Sequence, residues 1–231
     1  MHARCFEIGM AVLLLLAGGA DSALAQPAPK SESPKPLPKE IVAAWQKAGA
    51  RPGWLGTSGP GGTGLKATGF LAFEEKATGL TGTVPAFRFD VWKDGVVAKL
   101  PVPATPFGLD LRGVNVKYAD LKELAGLKSL HTLSLGYTGV TDADLKELAR
   151  LKNLHTLHLV GTFVTGPGLN ELASLKGLHS LNLGRTKMTD GDLNELAGLK
   201  SLRTLYLDGT KVTDAGVAKL QMALPDCKIS R

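Results

Sequence analysis

Leucine recurs with a period of 24 residues along the second half of the chain. Four units follow one another from Leu121 without a gap, at 121–144, 145–168, 169–192 and 193–216. Such regularity is the signature of stacked structural units, each of which buries its apolar face only against a neighbour. The hydrophobic pattern therefore predicts a solenoid.

Each unit predicts a short strand followed by a short helix. In the first unit, Leu133 and Leu135 alternate with small or polar residues, which is the period of a strand. Thr141 and Asp142 then supply cap chemistry for a helix. One face of that helix carries the apolar residues Leu145, Leu148 and Leu151. A threonine recurs between strand and helix, where we expect it to satisfy buried backbone groups of the loop: Thr138, Thr162, Thr186 and Thr210.

The strand pattern extends beyond the four units in both directions. Leu109-Asp110-Leu111 lies 24 residues before the first unit's strand, and Phe87-Arg88-Phe89 lies 22 residues earlier still. At the other end, Cys227-Lys228-Ile229 lies 22 residues after Leu205-Tyr206-Leu207. This alignment predicts about seven strands in one parallel sheet, between Phe87 and Ile229. It also predicts that Cys227 replaces a strand leucine and is buried.

The residues ahead of the repeats predict an N-terminal cap over 40–86. A helical pattern spans 40–50, with Ile41, Ala44 and Trp45 as its apolar stripe. A glycine-rich stretch, 53–69, and short apolar segments at 70–73 and 87–91 follow it. The predicted fold is an α/β solenoid over 87–231, with the parallel sheet on the concave face and short helices on the convex face.

The repeat has the form L-x-x-L-x-L-x-x-T-x-V-T-D, as in the stretch from Leu202 to Asp214. Over roughly 105–231 it resembles the leucine-rich-repeat family. The V-T-D variant is similar to short repeats of exported bacterial proteins, especially those of planctomycetes, and to repeat arrays of F-box proteins. No F-box is present, so a ubiquitin-ligase role is not implied. Threonine stands where many members carry asparagine, so the resemblance implies a threonine variant of the backbone ladder. It implies no defined biochemical activity.

The first 25 residues have the pattern of a signal peptide. Arg4 precedes the apolar run 10–20, and Ala23-Leu24-Ala25 has the small-x-small pattern of a cleavage site. The apolar run is short for a bilayer span, although a retained anchor is the alternative. We expect cleavage after Ala25 and a secreted, periplasmic or cell-envelope protein without a transmembrane span. The segment 26–39 holds five prolines and predicts an extended linker.

Charge and cysteine content narrow the classes of partner. The formal net charge is +6, and cleavage would remove one basic and two acidic residues, leaving +7. A basic protein favours an anionic partner. Most lysines, however, lie at repeated helix positions, as on any solvated face, so no nucleic-acid partner is predicted. Cleavage would leave Cys227 as the one cysteine, without a disulfide framework.

Two motifs suggest site chemistry and are better explained otherwise. The segment 59–68 nearly forms a phosphate-binding loop, but Leu65 displaces Lys66 from the required position. His131, His155 and His179 share one column, where strands about 4.8 Å apart would stack their rings. Stacked rings do not converge on one metal ion.

No catalytic, cofactor or metal site is predicted. The helices carry a glutamate at one repeated position, expected to be exposed: Glu123, Glu147, Glu171 and Glu195. Glu74-Glu75 is the one adjacent acidic pair outside the array, and there is no nucleophile motif. An enzyme is therefore the least favoured class.

The positions that differ between repeats are free to encode recognition. Two columns, expected to be exposed on the concave face, provide candidate partner-binding residues, to which Arg185 at the end of a strand is added: Arg88, Asp110, His158, Asn182, Arg185, Tyr206 and Asp208. These columns are equally consistent with ordinary solvent-exposed strand residues. The leading hypothesis is a binding or scaffold protein that recognises a protein or polysaccharide on this face. The alternative is a structural cell-envelope protein without a specific ligand.

Overall fold

The computed structural model describes residues 35–58, 71–77 and 80–231. These belong to one compact unit, Pro34–Arg231. The predicted signal peptide, most of the predicted linker and the glycine-rich segment 59–68 lie outside the described residues.

Strands and short helices alternate along the chain. The strands are β1 Ala50–Ser58, β2 Leu71–Glu74, β3 Leu80–Phe89, β4 Phe107–Asp110, β5 Leu130–Ser134, β6 Thr156–His158, β7 Ser180–Asn182, β8 Thr204–Tyr206 and β9 Lys228–Ser230. The α-helices are α1 Lys39–Lys47, α2 Tyr118–Leu124, α3 Asp142–Leu148, α4 Gly166–Leu172 and α5 Asp214–Ala223. Two 3-10 helices, Val97–Lys99 and Asp192–Gly198, complete the described elements.

Within the described residues, one sheet contains nine strands in the order β2-β1-β3-β4-β5-β6-β7-β8-β9. From β3 to β9 all neighbours are parallel, which confirms the predicted seven-stranded parallel sheet. The first two strands are antiparallel additions at the N-terminal edge. The cap is therefore a helix and a β-hairpin that extends the sheet.

The predicted alignment of the last strand is wrong by two residues. Ile229 pairs with Leu205, and Ser230 pairs with Tyr206. Cys227 donates its backbone N–H to Leu224 O at 3.1 Å, as Leu202 donates to Leu199 O at 2.9 Å. Cys227 thus takes the place of the leucine ahead of the strand. The shift arises because α5 has ten residues, whereas α3 and α4 have seven.

The predicted burial of Cys227 is confirmed, since the residue is 3% exposed and its thiol is free. Burial raises the pKa of this thiol to about 11, against a smaller opposing effect of Arg203. The thiolate is the reactive form of cysteine. We therefore expect a disulfide reagent at neutral pH to label native Cys227 at least about tenfold more slowly than the denatured chain. Equal labelling rates in the two states would contradict this packing.

A continuous apolar core runs through the solenoid from Trp45 to Cys227. Trp45 closes its N-terminal end, with its ring stacked on Phe87 at 4.3 Å and meeting Phe107 edge-on at 5.7 Å. Its indole Nε1–H donates to Pro101 O at 2.9 Å. Because the buried N–H is satisfied, the large ring covers the open end of the core without an unpaired polar group.

The four repeated threonines satisfy the loops as predicted, although each does so within its own repeat. Each hydroxyl donates to the leucine carbonyl three residues earlier, at 2.6–2.7 Å: Thr138 to Leu135, Thr162 to Leu159, Thr186 to Leu183 and Thr210 to Leu207.

The helix N-termini reveal an alternation that a 24-residue repeat hides. The Thr141 backbone N–H is bound by Asp144 of its own helix at 2.7 Å. The Thr165 N–H is bound instead by Asp142 of the preceding repeat, also at 2.7 Å. A Cβ at Gly168 would overlap that Asp142 carboxylate. Further along, Thr189, Asp192, Asp190, Thr213 and Gly216 repeat the alternation. Adjacent repeats therefore interlock in pairs.

This interlock predicts unequal effects of two glycine-to-alanine changes. Gly168→Ala should lower the free energy of unfolding by about 1–3 kcal/mol, the usual cost of overpacking, because the new methyl group also meets the Asp142 backbone. Gly198→Ala is the matched control, since a Cβ there meets nothing within 4 Å. Urea denaturation of both variants measures the difference. Equal effects would show that Asp142 does not occupy this space.

Candidate functional site

The structure aligns the predicted central column of the concave face. Arg88 pairs in register with Asp110, then Ser134, His158, Asn182 and Tyr206 follow on successive strands. Ser230 ends the column, and Lys228 pairs with Thr204 instead. The sequence alignment of this column is therefore correct up to its last member.

The expected exposure of the column is wrong for three of its candidate residues. Asp110, His158 and Asn182 are 0%, 3% and 2% exposed. Strands in a sheet lie about 4.8 Å apart, so each side chain is flanked by neighbours of its own column, and concave curvature draws them closer. The middle of the column is consequently a packed floor.

The cap covers the N-terminal end of this face. Leu55, Leu71 and Val84 form a second apolar cluster apart from the main core. A Cβ at Gly108 would lie 2.8 Å from Leu55 Cδ1 and 3.2 Å from Val84 Cγ2. Glycine at this position lets the hairpin pack directly on β4, so a partner has no access there.

Asp110 is the centre of a network of ion pairs. Arg112 donates to its two carboxylate oxygens at 2.9 and 2.7 Å, and Arg88 approaches at 3.4 Å. Arg112 also donates to Leu71 O at 2.9 Å, which ties the repeats to the cap. Arg88 further pairs with the exposed Asp90, whose pKa is lowered mainly by that hydrogen bond. Arg88 and Asp110 thus have structural partners already.

His158 is buried without a hydrogen-bond partner for Nε2 among the described residues, and the neighbouring Ser134 Oγ is likewise unpartnered. Burial lowers the pKa of His158 to about 3, and the positive charge of Arg112 lowers it further in the same direction. The imidazole is therefore neutral near neutral pH. Asn182 Oδ1 accepts the Gly184 N–H at 2.9 Å, which fixes its amide.

Three candidate residues lie together at the C-terminal half of the face and remain accessible. Tyr206 and Asp208 are partly exposed, and Arg185 is exposed. The Arg185 N–H donates to Asp208 O at 2.8 Å, so the two lie on adjacent strand ends. Burial, and next the Asp208 charge, raise the pKa of Tyr206, so its hydroxyl stays protonated. This arrangement offers an aromatic ring beside a carboxylate and a guanidinium.

The predicted histidine stack is present. The rings of His131 and His155 are 4.2 Å apart, and those of His155 and His179 are 5.2 Å apart, nearly parallel in both cases. Burial, together with the charges of the other two rings, lowers the pKa of His131 to about 4. Among the described residues, no group of three His, Cys, Asp or Glu side chains could hold a metal ion.

The repeated glutamates do not share one environment. Glu147 is 6% exposed, contrary to prediction, because Tyr118 of the preceding helix donates its hydroxyl to it at 2.8 Å. Arg150 pairs with the same carboxylate at 3.0 Å. Glu74 and Glu75 line an open cleft of about 470 Å³ together with Arg51, Lys76 and Arg88. Its mixed charges give no isolated carboxylate pair.

Within the described residues, no helix combines the length and apolar character that a membrane crossing requires. No protein-family model matches the sequence, and no curated protein matches it.

Solved structures with similarity to this chain are repeat proteins. Internalin C2 from Listeria monocytogenes is 29% identical, with 58% of this chain and 53% of that chain covered and a TM-score of 0.46. A leucine-rich-repeat protein from Leptospira interrogans is 26% identical over 54% of this chain and 30% of that one, with a TM-score of 0.41. Internalin F from Listeria monocytogenes is 20% identical over 54% and 40%, with a TM-score of 0.37.

The chain thus spans about half or less of the length of these structures. Its own 24-residue period and parallel register carry the assignment of fold. The protein is an α/β leucine-rich-repeat solenoid with a small N-terminal cap.

Proposed function

We propose that this protein is an exported, non-catalytic binding protein that recognises a protein or polysaccharide on its concave face. The observation that carries the proposal is the accessible group of Tyr206, Asp208 and Arg185, which stands beside a floor of fixed side chains. A rigid platform reduces the ordering cost of binding. The partner docks at the C-terminal half, because the cap covers the other end.

The chemistry of this group suits recognition. Tyrosine and arginine are the side chains that most often anchor interfaces, and Tyr206 offers both a ring face and a hydroxyl. A basic chain with a net charge of +6 favours a partner that carries anionic groups. The signal-peptide pattern of residues 1–25, and the likeness of the V-T-D repeats to those of exported planctomycete proteins, support export.

A structural role in the cell envelope is the second candidate. It is favoured by the burial of Asp110, His158 and Asn182, which removes three of the seven candidate residues from direct contact. A pull-down with the full chain from envelope extracts separates the two functions. One saturable partner supports binding, whereas no partner in any extract supports the structural role.

Tyr206→Ala should weaken binding of that partner by at least about 1 kcal/mol, or roughly fivefold, the threshold for a significant interface residue. The lost contact is the ring face, and the half-buried position should leave the fold intact. Lys146→Ala, an exposed change on helix α3, is the matched control and should not alter affinity. Titration calorimetry compares the two. Loss of binding in the Lys146 variant alone would place the partner on the convex side.

A further inference from the structure

One repeated position just beyond the strands has a left-handed backbone. Its φ is 70° at Gly113, 56° at Tyr137, 65° at Gly161, 55° at Arg185 and 73° at Gly209. Glycine adopts this conformation freely, whereas an L side chain there raises the free energy of the folded chain. Tyr137 and Arg185 are therefore unfavourable where three other repeats use glycine. Strained residues of this kind concentrate at binding sites.

Both side chains are held in place by the glycine of the following repeat. A Cβ at Gly161 would lie 2.7 Å from Cδ1 of Tyr137. A Cβ at Gly209 would lie 3.3 Å from Cγ of Arg185. The glycines thus provide space over which the tyrosine ring and the arginine stem lie. Tyr137 still keeps 50% of its surface exposed.

The neighbouring column continues the same surface. Phe163 is 59% exposed, and Lys187 and Lys211 are exposed. We call these residues, with Tyr137 and Arg185, the rim patch. Among the described residues, Arg185, Lys187 and Lys211 form no ion pair.

The nearby carboxylates are occupied. Asp190 accepts hydrogen bonds from Thr213, and Asp214 pairs with Arg231. Asp208 acts on Tyr206, at the concave face. The rim patch therefore has two exposed aromatic rings at one end and three cations without a carboxylate partner at the other.

We propose that the rim patch binds an anionic polysaccharide that runs across the strands. Its sugar rings stack on Tyr137 and Phe163, and its carboxylates pair with Arg185, Lys187 and Lys211. Equivalent rim positions recur at the strand spacing of about 4.8 Å, which is close to the length of one pyranose residue. An extended peptide rises about 3.3 Å per residue and repeats a side only every second residue, so it matches this spacing poorly.

This site lies outside the concave face and does not depend on what binds there. Tyr137→Gly and Arg185→Gly test it, because glycine suits the backbone of both positions. The probe is an oligogalacturonate, a linear uronic-acid oligomer, titrated into the full chain at low salt. We expect saturable binding that each variant weakens at least tenfold, while the melting temperature is unchanged or higher. Lys146→Ala removes one positive charge on helix α3 and should keep the wild-type affinity.

Three results would overturn the proposal. The first is the absence of saturable binding to the wild-type protein, and the second is unchanged affinity in Tyr137→Gly. The third is equally tight binding of polyglutamate, which would show that charge alone, or an acidic peptide, accounts for the attraction. Tyr206→Ala distinguishes the two faces: retained oligogalacturonate binding supports the rim patch, and lost binding assigns the sugar to the concave face.

Discussion

Leu157→Ala is expected to lower the free energy of unfolding by about 3–5 kcal/mol, the upper range for a leucine whose removal leaves a cavity. Leu157 lies in the middle of the array, is 0% exposed and pairs in register with Leu133 and Leu181. Repeats on both sides are held in place by their own leucines, so the cavity cannot collapse easily. In a solenoid, a weakened central interface also separates the two halves.

Thr156→Ala is the matched control for this change. Thr156 is the preceding residue of the same strand, points to the opposite face and is partly exposed. Its replacement should cost less than about 0.5 kcal/mol, as surface changes usually do. Equilibrium urea denaturation gives both values. A cost for Leu157→Ala as small as that of the control would mean that the strand faces are reversed, because a one-residue slip exchanges them.

Acid should destabilise the protein through His158. The folded-state pKa of about 3 lies below the ordinary value of 6.5, so the unfolded chain takes up a proton before the folded chain does. Stability is therefore fully present above about pH 6.5 and is lost as the pH falls toward 3. At about pH 4.5, two units below the unfolded pKa, the loss from this group is about 3 kcal/mol. His131, with a pKa of about 4, adds a change in the same direction.

His158→Asn isolates the contribution of His158. Asparagine already occupies the equivalent position at residue 182, and it does not titrate. The variant should lose about 3 kcal/mol less than the wild type between about pH 7 and about pH 4.5. Chemical denaturation at the two pH values measures this difference, from which carboxylate effects cancel. Parallel losses in the two proteins would show that a proton reaches His158 in the folded state.

The sequence was sufficient for the features that depend on period. Because each repeat has the same length, residues 24 apart become neighbours on adjacent strands, as Leu133, Leu157 and Leu181 show. Where the spacing changes, as around α5, the alignment slips and Cys227 is misplaced. Strand β1 was missed because Pro52, Gly53 and Gly56 disfavour strands locally. Pairing with β3 overrides that local preference.

The candidate site was harder to predict, for two physical reasons. Alternation within a strand gives the face on which Asp110 or His158 lies, but not how closely neighbours cover it. Treating the repeats as equivalent also averaged away the differences that pair them, such as Asp142 against Gly168 and Tyr137 against Gly161. Comparing successive repeats position by position would have found both alternations, because a glycine follows a large or acidic residue in each.

Hydroxyl-radical footprinting of the full chain, with and without a partner captured from envelope extracts, tests concave-face binding most directly. Reactive side chains report on each surface: Tyr206 on the concave face, Tyr137 and Phe163 on the rim, and Tyr118 and Met222 on the helices. Binding as proposed protects Tyr206 and leaves Tyr118 and Met222 oxidised at their free rates. Protection of Tyr118 and Met222, with Tyr206 unchanged, would contradict the proposal and place the partner on the convex side.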